Sequence, residues 1–349
     1  MLRQILRALV SRSDYQVTVI TGNADTSAGI EDLVTEHENL TEQRFLTDYP
    51  SAIRYLISKI YFPFYPRMDQ CDWFISFNYL VPVRCKLFVY HINLLTFVPP
   101  EKRSFLDWVK GFDARLACRK ADANIFESEY LKESAQKATG TAIRNPGVLY
   151  VGVNQEFFLP PVDQQQKELK NKVVSLLLVS SPQPHKKNEI CIQALARLCS
   201  IRPDVNWQLE ICGGQNVTQW SKVLDFARKE GVYEQVRVLG PQSLSVLGDK
   251  MANSFCLINP SVTESFCMVA VEAMAAGCPV IVTDQTSMPE SVGDAGLVVE
   301  ADSPDQFADA VLTLVDDPAS RDSLVIQGRE RAAGFSAEAF ASGLVDLLS

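Results

Sequence analysis

Histidine is the scarcest reactive residue in this chain, with three in 349 residues. So few imidazoles leave little material for a multi-histidine metal site or for acid/base chemistry built on several of them. The nine cysteines fall at irregular positions without a CxxC pair, so neither a zinc signature nor a disulfide framework is present. Cys212, Cys256, Cys267 and Cys278 sit in apolar runs and read as small core residues in a reducing compartment. No run of 18 apolar residues occurs, so no transmembrane helix is expected. An excess of basic charge is lacking too: the net charge of −9 argues against non-specific nucleic-acid binding. The N-terminus, MLRQILRALVSRSDYQ, is too interrupted by charge for a secretory signal and reads as an amphipathic helix. Asn39-Leu40-Thr41 and Asn216-Val217-Thr218 fit the short glycosylation pattern, but nothing else suggests secretion.

What is present is a hydrophobic share of 47% over a length that supports two cores. Strand-like runs alternate with helix-like runs. Strands are expected near Val17–Thr21, Trp73–Phe77, Leu87–Tyr90, Ala123–Phe126, Val173–Val179, Trp207–Cys212, Val236–Leu239, Phe255–Asn259, Pro279–Thr283 and Leu297–Val299. Helices are expected at Leu2–Ser11, Ser104–Lys120, Glu129–Thr139, Pro304–Val315, Ser320–Ala333 and Ala337–Leu348, with others between the later strands. Apolar strands alternating with helices imply parallel sheets covered on both faces. The fold class is therefore α/β, with two Rossmann-like doubly wound domains facing across a cleft. Residues 1–157 form the first domain and 172–335 the second; 158–171, polar and holding two prolines, form a linker, and 336–349 a terminal helix that crosses back to the first domain. Ligands bind such sheets at the carboxyl ends of their strands.

One stretch stands out, Asn259–Thr283, NPSVTESFCMVAVEAMAAGCPVIVT. A buried strand ends in the turn Pro260–Glu264, a helix of small apolar residues starts near Phe266, and a second strand follows Gly277. A helix N-terminus after a parallel strand suits a phosphate. Glu264 lies at the helix mouth, and Glu272 lies two turns in, on the face shared with Ser265 and Met268. One carboxylate suits a hydroxylated ring, the other a ribose diol. The spacing alone carries nothing, and the plain alternative is a buried βαβ unit with two solvated acids.

The longer pattern carries more. SSPQPHKKNEICIQALARL, WQLEICGG, YEQVRVLG and NPSVTESFCMVAVEAMAAGCPVIVTDQTSMPESVGDAGLVV, between Val173 and Asp302, resemble the retaining GT-B glycosyltransferases of the family 4 type, glycosyl transferases group 1. In the first half FVYHINL, ADANIFESEYLKE and VGVNQEFF resemble the family more weakly. The resemblance implies a sugar-nucleotide site in the C-terminal domain, an acceptor site in the N-terminal one, retention of anomeric configuration, no cofactor and no metal. Glu264 would hold the donor sugar's hydroxyls and Glu272 the ribose. Ser265, Phe266 and Cys267 would offer backbone N–H groups to the diphosphate, with Met268 beside them. Lys187 would neutralise the leaving diphosphate, and His91 would face the reacting sugar. Each has a structural alternative: Lys187 as a solvated turn, His91 as a strand-end residue satisfied by backbone, His185 as turn surface. Gly213, with Gly214, could allow close nucleotide approach or simply make a strand-to-helix turn, and the resemblance puts Gly240, with Pro241, where the family's base-binding loop begins.

Three departures accompany the match. Cys267 stands where the family usually has Gly, and its side chain is expected to narrow the phosphate approach. Ser181 stands six residues before Lys187, where an Arg is usual. The chain opens on a helix, whereas the family opens one strand earlier, followed by a glycine-rich loop.

Residues 53–120 hold 11 basic residues against 5 acidic, in a chain that is acidic overall. Arg54–Arg67 interleaves basic and aromatic residues, and Glu101–Lys120 reads as a helix with basic and apolar faces. Such segments can lie on an anionic membrane, or pack on their own domain with a solvated basic face. The expected protein is a metal-independent hexosyltransferase using a nucleoside-diphosphate sugar and a saccharide or lipid-linked acceptor. It would be cytoplasmic, with peripheral contact at the inner membrane face through residues 53–120, and would bind no nucleic acid. The alternatives are a GT-B sugar-nucleotide epimerase or a non-catalytic sugar-nucleotide-binding subunit.

Overall fold

The computed structural model describes residues 1–21, 29–45, 51–64, 70–98, 104–160, 173–215 and 217–349. They divide into two compact units, Met1–Gly152 with Ala337–Ser349, and Val153–Ser336.

The first unit runs α1 (Leu2–Val10), β1 (Val17–Thr21), α2 (Glu31–Glu36), β2 (Leu40–Arg44), α3 (Ser51–Tyr61), β3 (Trp73–Phe77), β4 (Lys86–His91), α4 (Phe105–Lys120), β5 (Ala123–Phe126), α5 (Glu129–Thr139) and β6 (Pro146–Val148). Its strands pair in parallel, β1 with β2 and β3-β4-β5-β6 in a second sheet. One doubly wound sheet was the expectation; among the described residues no strand joins the two pieces. Leu87, Val89, Ala117 and Ala121 pack beneath β4, and Leu94, Phe97, Phe126 and Leu131 on its other side. Helix α4 starts where its sequence directs. Ser104 Oγ accepts from the Asp107 amide, and the Asp107 carboxylate accepts from the Ser104 amide. Arg119 and Lys120 close it against the negative dipole end.

The second unit runs β7 (Val173–Val179), α6 (Asn188–Ile201), β8 (Asn206–Cys212), α7 (Ser221–Lys229), β9 (Val236–Gly240), α8 (Leu244–Asn253), β10 (Cys256–Asn259), α9 (Met268–Ala275), β11 (Val280–Thr283), α10 (Met288–Val292), β12 (Leu297–Val299), α11 (Pro304–Asp316) and α12 (Pro318–Ala333). Six parallel strands make one sheet in the order β12-β11-β10-β7-β8-β9. Leu176, Leu178, Ile211, Cys256 and Ile258 are fully buried in its core. Each such aliphatic side chain contributes roughly 1.5–3 kcal/mol by leaving water. The chain then returns through α13 (Ala337–Leu348) to pack on α1, with Phe340 6.3 Å from the Tyr90 ring.

Two expectations shift, and a third falls largely outside the described residues. The division falls at Gly152/Val153 rather than at 157, because Val153 N–H donates to Phe335 O at 2.7 Å and the turn Gln155–Phe157 packs on α8. The linker placed at 158–171 lies outside the described residues from 161 onward. Strands β2 and β6 were not foreseen: one reads LTEQR and the other opens on a proline, compositions tolerated at a sheet edge.

Candidate active site

In the second unit β7 and β10 are central neighbours. From β7 the chain moves outward through β8 to β9, and from β10 the opposite way through β11 to β12. The crevice at the carboxyl ends of β7 and β10 is thus the topological switch point of the sheet. Two loops meet there, Ser180–Lys187 and Pro260–Cys267. Val262 N–H donates to His185 O at 3.0 Å. Lys186 Nζ lies 2.6 Å from Glu264 Oε1, both side chains being about one-fifth exposed (22% and 18%).

Lysine 187, the expected diphosphate partner, points elsewhere. It adopts a left-handed conformation (φ 48°) as the N-cap of α6, and its Nζ pairs with Asp302 at 3.0 Å on the surface. The turn sends consecutive side chains in different directions, so Lys186 takes the place beside Glu264. The sequence holds both lysines in one run, HKKNE, and only the backbone turn distinguishes them.

The Glu264 loop is held by hydroxyls. Ser261 N–H donates to Asn259 Oδ1 at 3.1 Å, and Thr283 Oγ1 donates to Ser261 O at 2.7 Å. Glu264 N–H donates to Thr286 Oγ1 at 3.1 Å, and Ser287 Oγ donates to Glu264 O at 2.9 Å. Cys267 N–H donates to Ser291 Oγ at 3.0 Å, and Ser291 Oγ donates to Ser287 O at 2.9 Å. This last pair corrects two expectations. The Cys267 amide is occupied by protein, and α9 begins at Met268 rather than near Phe266. The thiol does not narrow an approach: Cys267 is buried, its sulfur accepts from Asn259 Nδ2 at 3.2 Å, and burial pushes its pKa up to about 12. Phe266 is anchored inward, edge-on to Phe335 at 5.3 Å, while Ser265 is partly buried beside Glu264. Met268 N–H donates to Phe266 O at 2.9 Å. Thr286, Ser287 and Ser291 escaped the sequence reading; short hydroxyl residues after a strand carry no signal of their own.

Because α9 starts later than expected, Glu272 sits one turn in, and Ser265 lies outside the helix. Its carboxylate is partly buried and meets no hydrogen-bond donor among the described residues. Burial pushes its pKa up to about 7. A group so placed is one that hydroxyl donors would favour in its charged form.

Gly213 and Gly240 close the ends of β8 and β9. Gly213 N–H donates to Gly240 O at 2.8 Å, and both have positive φ (106° and 72°). A Cβ on Gly213 would stand 2.2 Å from Ser180 O. Packing of adjacent strand ends therefore accounts for Gly213, whatever else approaches it.

His91, expected to face a sugar, is fully buried at the end of β4. Its ring stacks on Phe126 at 4.6 Å, meets Phe97 edge-on and has Nε2 3.0 Å from Asn124 Oδ1. Burial holds its pKa down near about 4, so it stays neutral at physiological pH. In this conformation it touches no solvent-borne group, and the expectation of a ligand-facing histidine is corrected to a core residue. The alternation that placed it on a strand end carried no information about which side chains would cover it.

Residues 161–331 match the family model described as Glycosyl transferases group 1. The chain is 34% identical over 213 residues to the D-inositol 3-phosphate glycosyltransferase of Corynebacterium glutamicum (strain R), a stretch covering 57% of this chain and 50% of that protein. It thus spans about half the length of that relative. Sucrose-phosphate synthase from Thermosynechococcus elongatus superposes with a TM-score of 0.79 at 19% identity, over 99% of this chain and 91% of that one. HepE of Anabaena, solved in complex with UDP, gives 0.76 at 18% identity, over 99% and 95%. At such identities the structural likeness speaks for the fold alone. Through residues 161–331 the chain belongs to the glycosyl transferases group 1, and it has the GT-B fold.

Proposed function

We propose that the chain is a retaining glycosyltransferase that moves a hexose from a nucleoside-diphosphate sugar to a saccharide or lipid-linked acceptor. The observation that carries this reading is the Lys186–Glu264 pair at the switch point of the sheet, with Glu272 one turn into α9. Without ligand the two charges satisfy each other. A nucleotide sugar offers each a better partner: Lys186 takes the diphosphate, and the Glu264 carboxylate accepts from the sugar's hydroxyls. Glu272 accepts from the ribose. Cleavage of the sugar–phosphate bond loads negative charge on the leaving diphosphate, which in this reading Lys186 and the dipole of α9 stabilise. The reading calls on neither a metal nor a protein nucleophile. The acceptor attacks from the face the diphosphate leaves, and the leaving phosphate takes the acceptor's proton. UDP, bound by HepE, is the first nucleotide to try.

The reading extends to a lipid surface. Phe105, Trp108 and Phe112 recur along one face of α4, are 81%, 54% and 55% exposed, and stack in a row at 6.2 and 6.1 Å. Ile53, Leu56, Ile57 and Ile60 recur at helical spacing on α3 and are exposed too. No described helix is long and apolar enough to cross a membrane. Aromatic rings with Arg115 on the same helix face suit peripheral contact with anionic lipid, at the inner face of a cytoplasmic membrane.

Thermal-shift screening with UDP, GDP and ADP and their hexose conjugates tests the donor site. A ligand at 100 times its Kd stabilises by about 2.7 kcal/mol, a readily seen shift. No shift with any of them ends the reading. Nucleotide binding without transfer or hydrolysis of any donor replaces it with the non-catalytic subunit.

A further inference from the structure

The residue that carries the donor-facing carboxylate is gripped at both of its backbone polar groups by two consecutive residues. Thr286 Oγ1 accepts from Glu264 N–H at 3.1 Å, and Ser287 Oγ donates to Glu264 O at 2.9 Å. Ser287 is fully buried, and its own carbonyl accepts from Ser291 Oγ. Ser291 in turn holds the Cys267 amide, so one short segment after β11 fixes the loop at residues 264 and 267.

Thr286 does this from a costly backbone position. Its φ is +52°, in the left-handed region where β-branched residues are genuine outliers. Glycine would sit there without steric penalty. The one hydrogen bond its side chain makes among the described residues is the bond to Glu264. Strain kept at such a position calls for something that only the side chain supplies.

We infer that Thr286 and Ser287 are positioning residues: they hold Glu264 so that its carboxylate meets the hydroxyls of the donor sugar. This rests on the reading of Glu264 given above. Neither residue touches the substrate. Both act through the peptide groups of Glu264, whose side chain is no longer held in one place without them. Lys186, on the other loop, is untouched, so affinity for the diphosphate is preserved while the sugar's share of donor binding is lost.

Thr286→Gly is the informative variant, because it removes the hydroxyl and relieves the strain together, and so spares the fold. The probes are UDP, GDP and ADP with their glucose and mannose conjugates, by calorimetry and by turnover. In the wild type the sugar adds to the affinity of the matching free diphosphate. In Thr286→Gly, and separately in Ser287→Ala, that increment disappears and kcat/KM falls roughly 10- to 100-fold. The free diphosphate's Kd stays within about threefold, and Tm stays equal or rises for Thr286→Gly. Thr286→Ser restores both sugar increment and turnover. Wild-type donor use in Thr286→Gly overturns the inference while leaving the transferase reading intact. So does a parallel loss of diphosphate and donor affinity, which marks a merely structural tie. A wild type that binds no diphosphate sinks both.

Discussion

In the C-terminal unit six strands make one sheet, and the groups able to hold an anion and a polyol collect at its carboxyl edge. In the N-terminal unit the described strands make two sheets, the strand-end histidine is buried, and the rings of α4 face water. A strand end is therefore not enough to make a site. His91 has a better place inside, stacked on Phe126 and bonded to Asn124. Among the described residues the side chains of Lys186 and Glu264 pair with each other, at the point where the strand order reverses.

The largest expected effect separates the two neighbouring lysines. Lys186→Ala removes the cation beside the leaving diphosphate and is expected to lower kcat about 10²–10³-fold, the usual loss for one preorganised stabilising group. Lys187→Ala breaks only an exposed pair with Asp302 and is expected to change it less than about threefold. Equal losses in the two variants would return the diphosphate role to Lys187.

Next comes His91. His91→Ala leaves a ring-sized void against Phe126 and strips Asn124 Oδ1 of its partner, so stability should fall by about 3 kcal/mol in urea unfolding. The remaining folded protein should keep the wild-type Kd for the nucleoside diphosphate. Loss of turnover at unchanged stability would put His91 back among the catalytic groups and mean that β4 opens when substrate binds.

The exposed rings give a smaller effect. Trp108→Ala with Phe112→Ala is expected to reduce binding to vesicles of phosphatidylglycerol and phosphatidylethanolamine about tenfold, at unchanged Tm, since the rings touch little protein. Reversing Arg115, on the same face, to Glu should act in the same direction. Co-sedimentation unaffected by either change would leave α4 as the solvated face of its own domain.

Alternation of apolar strands with helices was enough to place ten strands and the parallel sheets, because buried strands are written in Val, Ile and Leu. Strands β2 and β6 were invisible because edge strands need not be apolar. Glu264, Glu272 and the turn between β10 and α9 were legible from one local string. The choice between Lys186 and Lys187, the burial of His91 and the hydroxyls of Thr286, Ser287 and Ser291 were not. Each depends on a backbone dihedral or on a neighbour far along the chain, and side-chain identity encodes neither.

The smallest effect, and the one that tests the ribose, concerns Glu272. Burial raises its folded-state pKa to about 7, from the 4.5 of a free glutamate. Between those values the unfolded chain has released a proton that the folded one still holds, so stability declines as pH rises through this window and levels off above it. The contribution is fully present below about pH 4.5. Glu272→Gln abolishes the decline: matched to wild type at pH 4.5, it should be about 1–2 kcal/mol the more stable at pH 8, allowing for partial solvent screening. Ribose hydroxyls donating to the carboxylate favour its charged form and pull the pKa back down. Nucleotide binding at pH 6.5 should then release a fraction of a proton, seen as a dependence of the calorimetric enthalpy on the buffer's ionisation enthalpy. Glu272→Gln should show none. Binding without proton release in wild type would move the ribose away from Glu272 and leave its carboxylate as a buried acid without a ligand.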